Sequence, residues 1–307
     1  MIVDLETRTW NRTEELGDEL SFAVRRGCAG RWLAPDAGPD ALAAASQAVD
    51  ASVLIGFESR LLRGSIGEQS VLDTVSRSRG RLFAARAIDP LGPDAGTRAE
   101  QSRRDGFSAI WMDPSLQGFH PTDTRAMKVF DRAEAQQLPV LLGWSGPAAP
   151  LARLEFARPH LLDEVARTFP HLTIVLSGFG SPFVAETLCL LAKHDRVFAT
   201  TAGVAFRPWE LLQTLQLCRD YAVEDRVLFA SGFPFDTPAR AIEAIYSVNS
   251  MVAASSLPAI PRSVLRGIIE RDSVSLLGLG ATPPQGDRST VRTLATGAPL
   301  RLMGDQP

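Results

Sequence analysis

Glu6 and Arg8 are the first residues in the chain whose types and spacing suggest chemistry. They stand two apart in the apolar run IVDLETRTW. If that run is a strand, both side chains project to the same side. A carboxylate and a guanidinium on one inward face support two readings. They can pair with each other as a cap on the core, because buried charges need partners. Alternatively, Arg8 is a fork for a substrate carboxylate or carbonyl while Glu6 serves as general base or acid. Asp113, after the run AIWM, is a second carboxyl, and two carboxyl groups in unlike environments can divide the acid and base roles. His120 lies in the loop that follows and is the one histidine placed for proton transfer. His160, His171 and His194 sit near helix ends, where capping or surface roles are expected. Ser145 lies in Gly-Trp-Ser-Gly-Pro, which reproduces four of the five places of a Gly-x-Ser-x-Gly nucleophile elbow but has Pro147 in the fifth. Gly178-Phe-Gly-Ser can offer backbone N–H groups to an anion at a helix start, but it lacks the remaining glycine of a dinucleotide fingerprint.

These residues need a scaffold, and the order of elements supplies one. Short apolar runs at 2–6, 52–57, 82–87, 109–112, 140–142, 173–177, 197–201 and 227–231 predict eight strands. Continuous apolar runs such as VLLG and TIVLS suit parallel strands covered on both faces. Amphipathic stretches at 124–137, 161–169, 182–194, 210–221 and 239–249 predict helices between them, with a further helix over 261–277. Eight such alternations favour a (β/α)8 TIM barrel over a doubly wound sheet. The barrel is expected to fill residues 1–280, followed over 281–307 by a tail rich in Gly, Pro and Thr. In such barrels chemistry sits at the C-terminal ends of the strands. Glu6, Arg8, Trp111, Asp113, Gly143, Ser145, Gly178, Phe179, Gly232 and Phe233 all fall there.

Composition narrows the partners. A net charge of −3 over 307 residues, with arginines scattered along the chain, gives no case for nucleic acid or an anionic membrane. No apolar run approaches the roughly 20 residues that span a bilayer. The opening residues read as a strand rather than a leader. Three cysteines are too few for a disulfide framework, and Cys189 and Cys218, in apolar helical patterns, are expected as buried small hydrophobes. A cytoplasmic protein with a small-molecule partner is expected, and pairing into a homodimer is admissible.

Five segments resemble the amidohydrolase-related family, in the branch that holds acid decarboxylases and lactonases. IVDLETRTW is similar to that family's first strand, LPVLLGWSG to its fifth, and FARPHLLDEVARTFPHLTIVLSGFG to the helix and strand of its sixth unit. RVLFASGFPF is similar to the eighth strand and SVLRGIIERDSVSLLGL to the closing helix. The resemblance implies a catalytic metal held by histidines and an aspartate, yet the matching positions carry other residues. Glu6 and Arg8 stand for the His-x-His pair, Gly143 and Gly178 for the histidines of strands five and six, and Gly232 for the aspartate of strand eight. Trp111 and Asp113 stand for a lysine and a histidine on strand four.

A zinc or manganese site needs three or four converging N, O or S ligands. Glycine has no side chain to offer and arginine stays cationic, so no metal or other cofactor is expected. The three glycines either enlarge a pocket lined by Trp111, Phe179, Phe206, Trp209 and Phe233, or let loop aromatics fill the mouth. The implied function is metal-independent acid–base chemistry on a carboxylate, lactone or amide, by hydrolysis, decarboxylation or cyclisation. A catalytically inactive barrel that binds a ligand or supports a partner is the alternative.

Overall fold

The computed structural model describes residues 1–27 and 37–280. Eight parallel strands follow one another around a barrel. They are β1 (Val3–Thr7), β2 (Ala51–Ile55), β3 (Leu82–Ala87), β4 (Ala109–Met112), β5 (Val140–Leu142), β6 (Ile174–Leu176), β7 (Val197–Thr200) and β8 (Val227–Leu228). Nearly every strand residue is buried, as expected for strands covered by helices outside and by side chains within. On β4 to β6, Ile110, Met112, Val140, Leu142, Ile174 and Leu176 join a core with helix residues such as Phe130 and Leu188. The alternate residues Trp111, Leu141 and Val175 belong to a second core, which is the period of two that strands impose.

The predicted strands at 82–87, 109–112 and 140–142 match residue for residue. The sixth ends earlier than predicted because Ser177 enters a tight turn in which Gly178 and Phe179 both take positive φ, 54° and 56°. β8 is only two residues long, so closure falls to the chain just after it. The N–H of Leu5 donates to Phe229 O at 3.2 Å, Gly232 N–H to Glu6 O at 3.1 Å, and Arg8 N–H to Phe233 O at 3.0 Å. A register shift on β1 sets Asp4 opposite Ser52 but Thr7 opposite Leu54, a bulge of the kind that re-aims side chains beside active sites.

Asp4 ties the two closing segments together. Its carboxyl accepts from Ser231 Oγ at 2.5 Å, Ser231 N–H at 2.9 Å and Glu6 N–H at 3.2 Å. Burial pushes it up to about 7, against those hydrogen bonds.

Three expectations need correction. The helix predicted over 261–277 is two, Arg262–Glu270 and Ser273–Leu277. The break comes at Arg271, which is extended (φ −63°, ψ 131°), and Asp272 caps the second helix by accepting from Ser275 N–H. A ribbon of Phe57–Ser59 against Gly64–Ile66 follows β2, and five α-helices before residue 120, Asp18–Arg26, Pro39–Ala45, Glu68–Arg77, Ala95–Gln101 and Pro114–Gln117, were not among those predicted. Cys218 is buried as expected, but Cys189 is exposed, because the buried stripe of its helix runs through Thr187, Leu188, Leu190 and Leu191. The 281–307 tail and Cys28 lie outside the described residues. No helix among the described residues is long and apolar enough to cross a membrane.

Candidate active site

Glu6 reaches from β1 across the barrel mouth. Its Oε1 accepts from Ser145 Oγ at 2.7 Å and its Oε2 from Ser177 Oγ at 2.5 Å. Ser145 lies in the loop after β5 and Ser177 directly after β6, so one carboxylate gathers three strand ends. Glu6 is only 3% exposed, and two hydroxyl donors with one nearby cation are what such a buried charge needs.

That cation is Arg8, 1% exposed, with Nη2 3.6 Å from Glu6 Oε1. This is an ion-pair distance but too long for a good hydrogen bond. Nη1 donates to Gly56 O at 3.1 Å. Nε and Nη2 have no hydrogen-bond partner. These two nitrogens form the edge of a guanidinium that grips a carboxylate bidentately. The planar group lies over the rings of Trp111 and Trp144, 4.7 and 4.8 Å from their centroids. Burial lowers the Arg8 pKa, opposed by the charges of Glu6 and Asp113, and an arginine still remains protonated.

Trp111 is anchored by its indole N–H, which donates to Gly143 O at 2.8 Å. Trp144 donates its own to Pro147 O at 2.9 Å and packs edge-on against Phe57 and Phe235. Asp113 caps the short helix Pro114–Gln117 by accepting from Leu116 N–H at 2.8 Å. Burial raises its carboxyl to about 6, with backbone N–H groups and Arg8 pulling the other way.

The three glycines do not leave the mouth empty. Gly143, Gly178 and Gly232 all have positive φ, at 106°, 54° and 75°. A Cβ on Gly178 would stand 2.6 Å from Ala202 O, one on Gly232 3.0 Å from Ser145 Oγ, and one on Gly143 3.3 Å from Ser177 Cβ. Ser145 and Ser177 thus occupy the room that larger side chains would take. The open space lies above them as a cleft of about 640 Å³ bordered by Ser145, Ser177, Gly178, Phe206, Arg26 and Arg207. Among the described residues its charged lining is Arg26 and Arg207, and Arg207 also pairs with Glu210 at 2.9 Å. Asp113 borders a smaller neighbouring cavity of about 200 Å³ with Gly143, Trp144 and Ser177. Glu6 and Arg8 line neither, lying one layer below.

A family model described as amidohydrolase matches residues 9–278. The chain belongs to the amidohydrolase family. Among solved structures, an uncharacterized TIM-barrel protein from Bordetella bronchiseptica superposes with a TM-score of 0.66 at 18% identity, covering 91% of this chain and 98% of that one. A probable 2-pyrone-4,6-dicarboxylic acid hydrolase from Acinetobacter baumannii, with citric acid bound, gives 0.63 at 15% identity, covering 90% and 99%. The 5-carboxyvanillate decarboxylase of Sphingomonas paucimobilis gives 0.63 at 16%, covering 90% and 98%. At such identities the likeness carries the fold. A search of curated proteins returns no match.

A divalent metal of the kind the amidohydrolase resemblance implies does not suit this donor set. The strand ends offer Glu6, whose oxygens are engaged by two serines, an arginine 3.6 Å away, and glycines in the segments just after β5, β6 and β8. Among the described residues no group of three His, Cys, Asp or Glu comes together to hold a metal.

Of the residues singled out from this amidohydrolase's sequence, Glu6, Arg8, Trp111, Asp113, Gly143, Ser145, Gly178 and Gly232 come together at or just beneath the mouth. His120 does not join them. Its Nδ1 is 2.9 Å from Thr122 Oγ1 and its ring meets the edge of Phe156. Phe179 is fully buried in the core between strands and helices, turned there by its left-handed backbone, and borders neither the larger cleft nor the smaller cavity. Phe233 is buried too and contributes its backbone carbonyl to Arg8 N–H. Trp209 is 56% exposed on the surface. His160 and His194 pair with Glu186 and Asp163, in keeping with roles at helix ends.

Two site residues escaped the sequence reading. Trp144 covers Arg8, and Ser177 holds Glu6. Their signal was position alone, since each directly adjoins one of the glycines already singled out.

Proposed function

We propose that the protein is a metal-independent acid–base enzyme for a small carboxylate-bearing substrate. Arg8 is the anion fork, Glu6 the principal base and Asp113 the second proton-exchanging carboxyl. The observation that carries this reading is the Nε/Nη2 edge of a buried Arg8, which has no hydrogen-bond partner and stands 3.6 Å from a carboxylate that two serines hold in place. An unsatisfied buried donor costs about 1–3 kcal/mol, and a substrate carboxylate would satisfy both at once. The cleft above is flanked by Arg26 and by Arg207, the latter paired with Glu210. Similar barrels include a probable pyrone dicarboxylic acid hydrolase and a carboxyvanillate decarboxylase, so carboxylate-bearing rings are the first compounds to try.

A second reading is a ligand-binding barrel without turnover. It is favoured by the 1% exposure of Arg8 beneath Trp144, which puts the pair out of reach unless that indole swings away.

The test is turnover of carboxylate-substituted lactones and aromatic acids by protein treated exhaustively with chelator. The expected result is activity unchanged by chelation, with Glu6→Gln lowering kcat/KM about 1,000-fold and Arg8→Met acting mainly on substrates that carry the carboxylate. Activity that vanishes on chelation and returns with zinc or manganese would overturn the proposal, as would full activity in both variants. Saturable binding without turnover selects the second reading.

A further inference from the structure

We infer that Ser145 is a covalent nucleophile activated by Glu6, which commits the site to hydrolysis of carboxylate-bearing esters or lactones. The inference rests on the reading of Glu6 as a base and adds a reaction type to it. Ser145 Oγ donates to Glu6 Oε1 at 2.7 Å, the hydrogen bond that a nucleophile and its base require. Ser177 donates to the other oxygen at 2.5 Å and so fixes the carboxylate with one oxygen turned to Ser145. The base is 3% exposed, which shields it from bulk water, and Ser145 borders the 640 Å³ cleft. Glu6 thus acts on the cleft through a hydroxyl that a substrate can meet.

The local backbone explains why the serine stands there. Gly143 turns the chain at φ 106°, and Ser145 packs on two more glycines. A Cβ on Gly203 would stand 2.7 Å from Ser145 O, and one on Gly232 would stand 3.0 Å from Ser145 Oγ and 3.4 Å from Gly203 N. A larger residue at Gly203 would press on the backbone and Cβ of Ser145, and one at Gly232 on its hydroxyl. The Gly-Trp-Ser-Gly segment departs from the nucleophile elbow in its last place and uses a carboxylate where the elbow uses a histidine.

The step balances as follows. Glu6 takes the proton of Ser145 Oγ as the oxygen bonds to the substrate carbonyl carbon. The carbon–oxygen bond to the alkoxide then breaks, and Glu6 returns the proton to that leaving oxygen. Water repeats the sequence on the acyl-serine, giving the carboxylic acid and free Ser145.

The experiment uses an alkyl fluorophosphonate, which loses fluoride as a serine oxygen bonds to phosphorus, with intact mass and peptide mapping as the readout. The expected result is one adduct per chain on Ser145, absent in Ser145→Ala and formed about 100-fold more slowly in Glu6→Gln. Ser177→Ala leaves Glu6 and Ser145 in place and slows labelling less. Circular dichroism checks that each variant is folded. No adduct on Ser145 in the wild-type chain overturns the inference, as does a Glu6→Gln variant that labels at the wild-type rate. If Ser145→Ala still hydrolyses a lactone that Glu6→Gln does not, this inference fails while the acid–base reading stands.

Discussion

Two arginine–carboxylate clusters in this barrel differ in how completely they are satisfied. Arg86, on β3, is 6% exposed. It donates to Glu68 from Nε at 2.8 Å and from Nη2 at 2.6 Å, and from Nη1 to Arg98 O at 2.8 Å and Asp105 at 3.0 Å, with Phe107 beneath it. Arg98 extends the network to Glu58 at 2.7 Å and Glu68 at 2.5 Å. Arg8 is buried more deeply, yet it has one good hydrogen bond, an acid 3.6 Å from Nη2, and no hydrogen-bond partner for Nε or Nη2. Arg86 thus has partners for its whole fork. Arg8, more deeply buried, keeps two donors without a hydrogen-bond partner, which is the basis of the proposed anion fork.

The sharpest way to break that comparison is to remove both arginines in turn. Arg86→Met leaves Asp105 without its cation and Glu68 with Arg98 alone. Those carboxyls are about a third exposed, so the full cost of orphaning a buried charge is reduced, and a loss of about 3 kcal/mol is expected in urea unfolding. The mouth should respond with the opposite sign. Glu6→Gln with Arg8→Met removes an under-satisfied buried pair, and the double variant is expected to gain about 2 kcal/mol while losing activity. A double variant destabilised as much as Arg86→Met would make the mouth cluster a structural ion pair like the other.

The barrel was legible because its signal is repetitive. Apolar runs such as VLLG and TIVLS recur with helices between them, and burial on both faces leaves them few alternatives. Glu6 and Arg8 were legible because a period of two puts them on one face. The glycines were read as missing ligands, but their positive φ and what fills the space beside them are tertiary facts. Nothing in Gly-Trp-Ser tells which residue covers an arginine on a strand across the barrel. Phe179 was hidden for the same reason, because the left-handed turn at Gly178 and Phe179 that accompanies its burial in the core is a tertiary feature.

Acid provides a third test, of smaller size. Burial raises Asp4 to about 7 and Asp113 to about 6, above the usual carboxylate range. A carboxyl whose folded pKa is raised binds its proton more tightly in the folded chain. Its contribution is fully present below the unfolded value and is lost as pH rises through the folded one. Stability should therefore increase as pH falls from 8 to 6, by about 1–2 kcal/mol. The carboxyls held near 2, Asp163 and Glu186, oppose this only below about pH 4. Asp4→Asn should flatten most of the slope, since Asp4 sits in the closing seam away from the surface pairs. A chain that loses stability between pH 8 and 6 would contradict both assignments.

The smallest expected effect concerns what an open fork rests on. Arg86 has Phe107 under a fully bonded guanidinium, whereas Arg8 depends on the faces of Trp111 and Trp144 for much of its stabilisation. Cation–π contact is worth about 0.5–2 kcal/mol and is strongest for indole. Trp144→Phe keeps a ring over Arg8 but weakens its field and removes the hydrogen bond to Pro147 O. A loss of about 1 kcal/mol is expected in thermal or urea unfolding, together with tighter binding of small carboxylates because the smaller ring yields the guanidinium more readily. If carboxylates bind the variant no better than the parent, Trp144 is part of the floor of the cleft and not its door. Access to Arg8 would then have to come from the side of Asp113 and the smaller cavity.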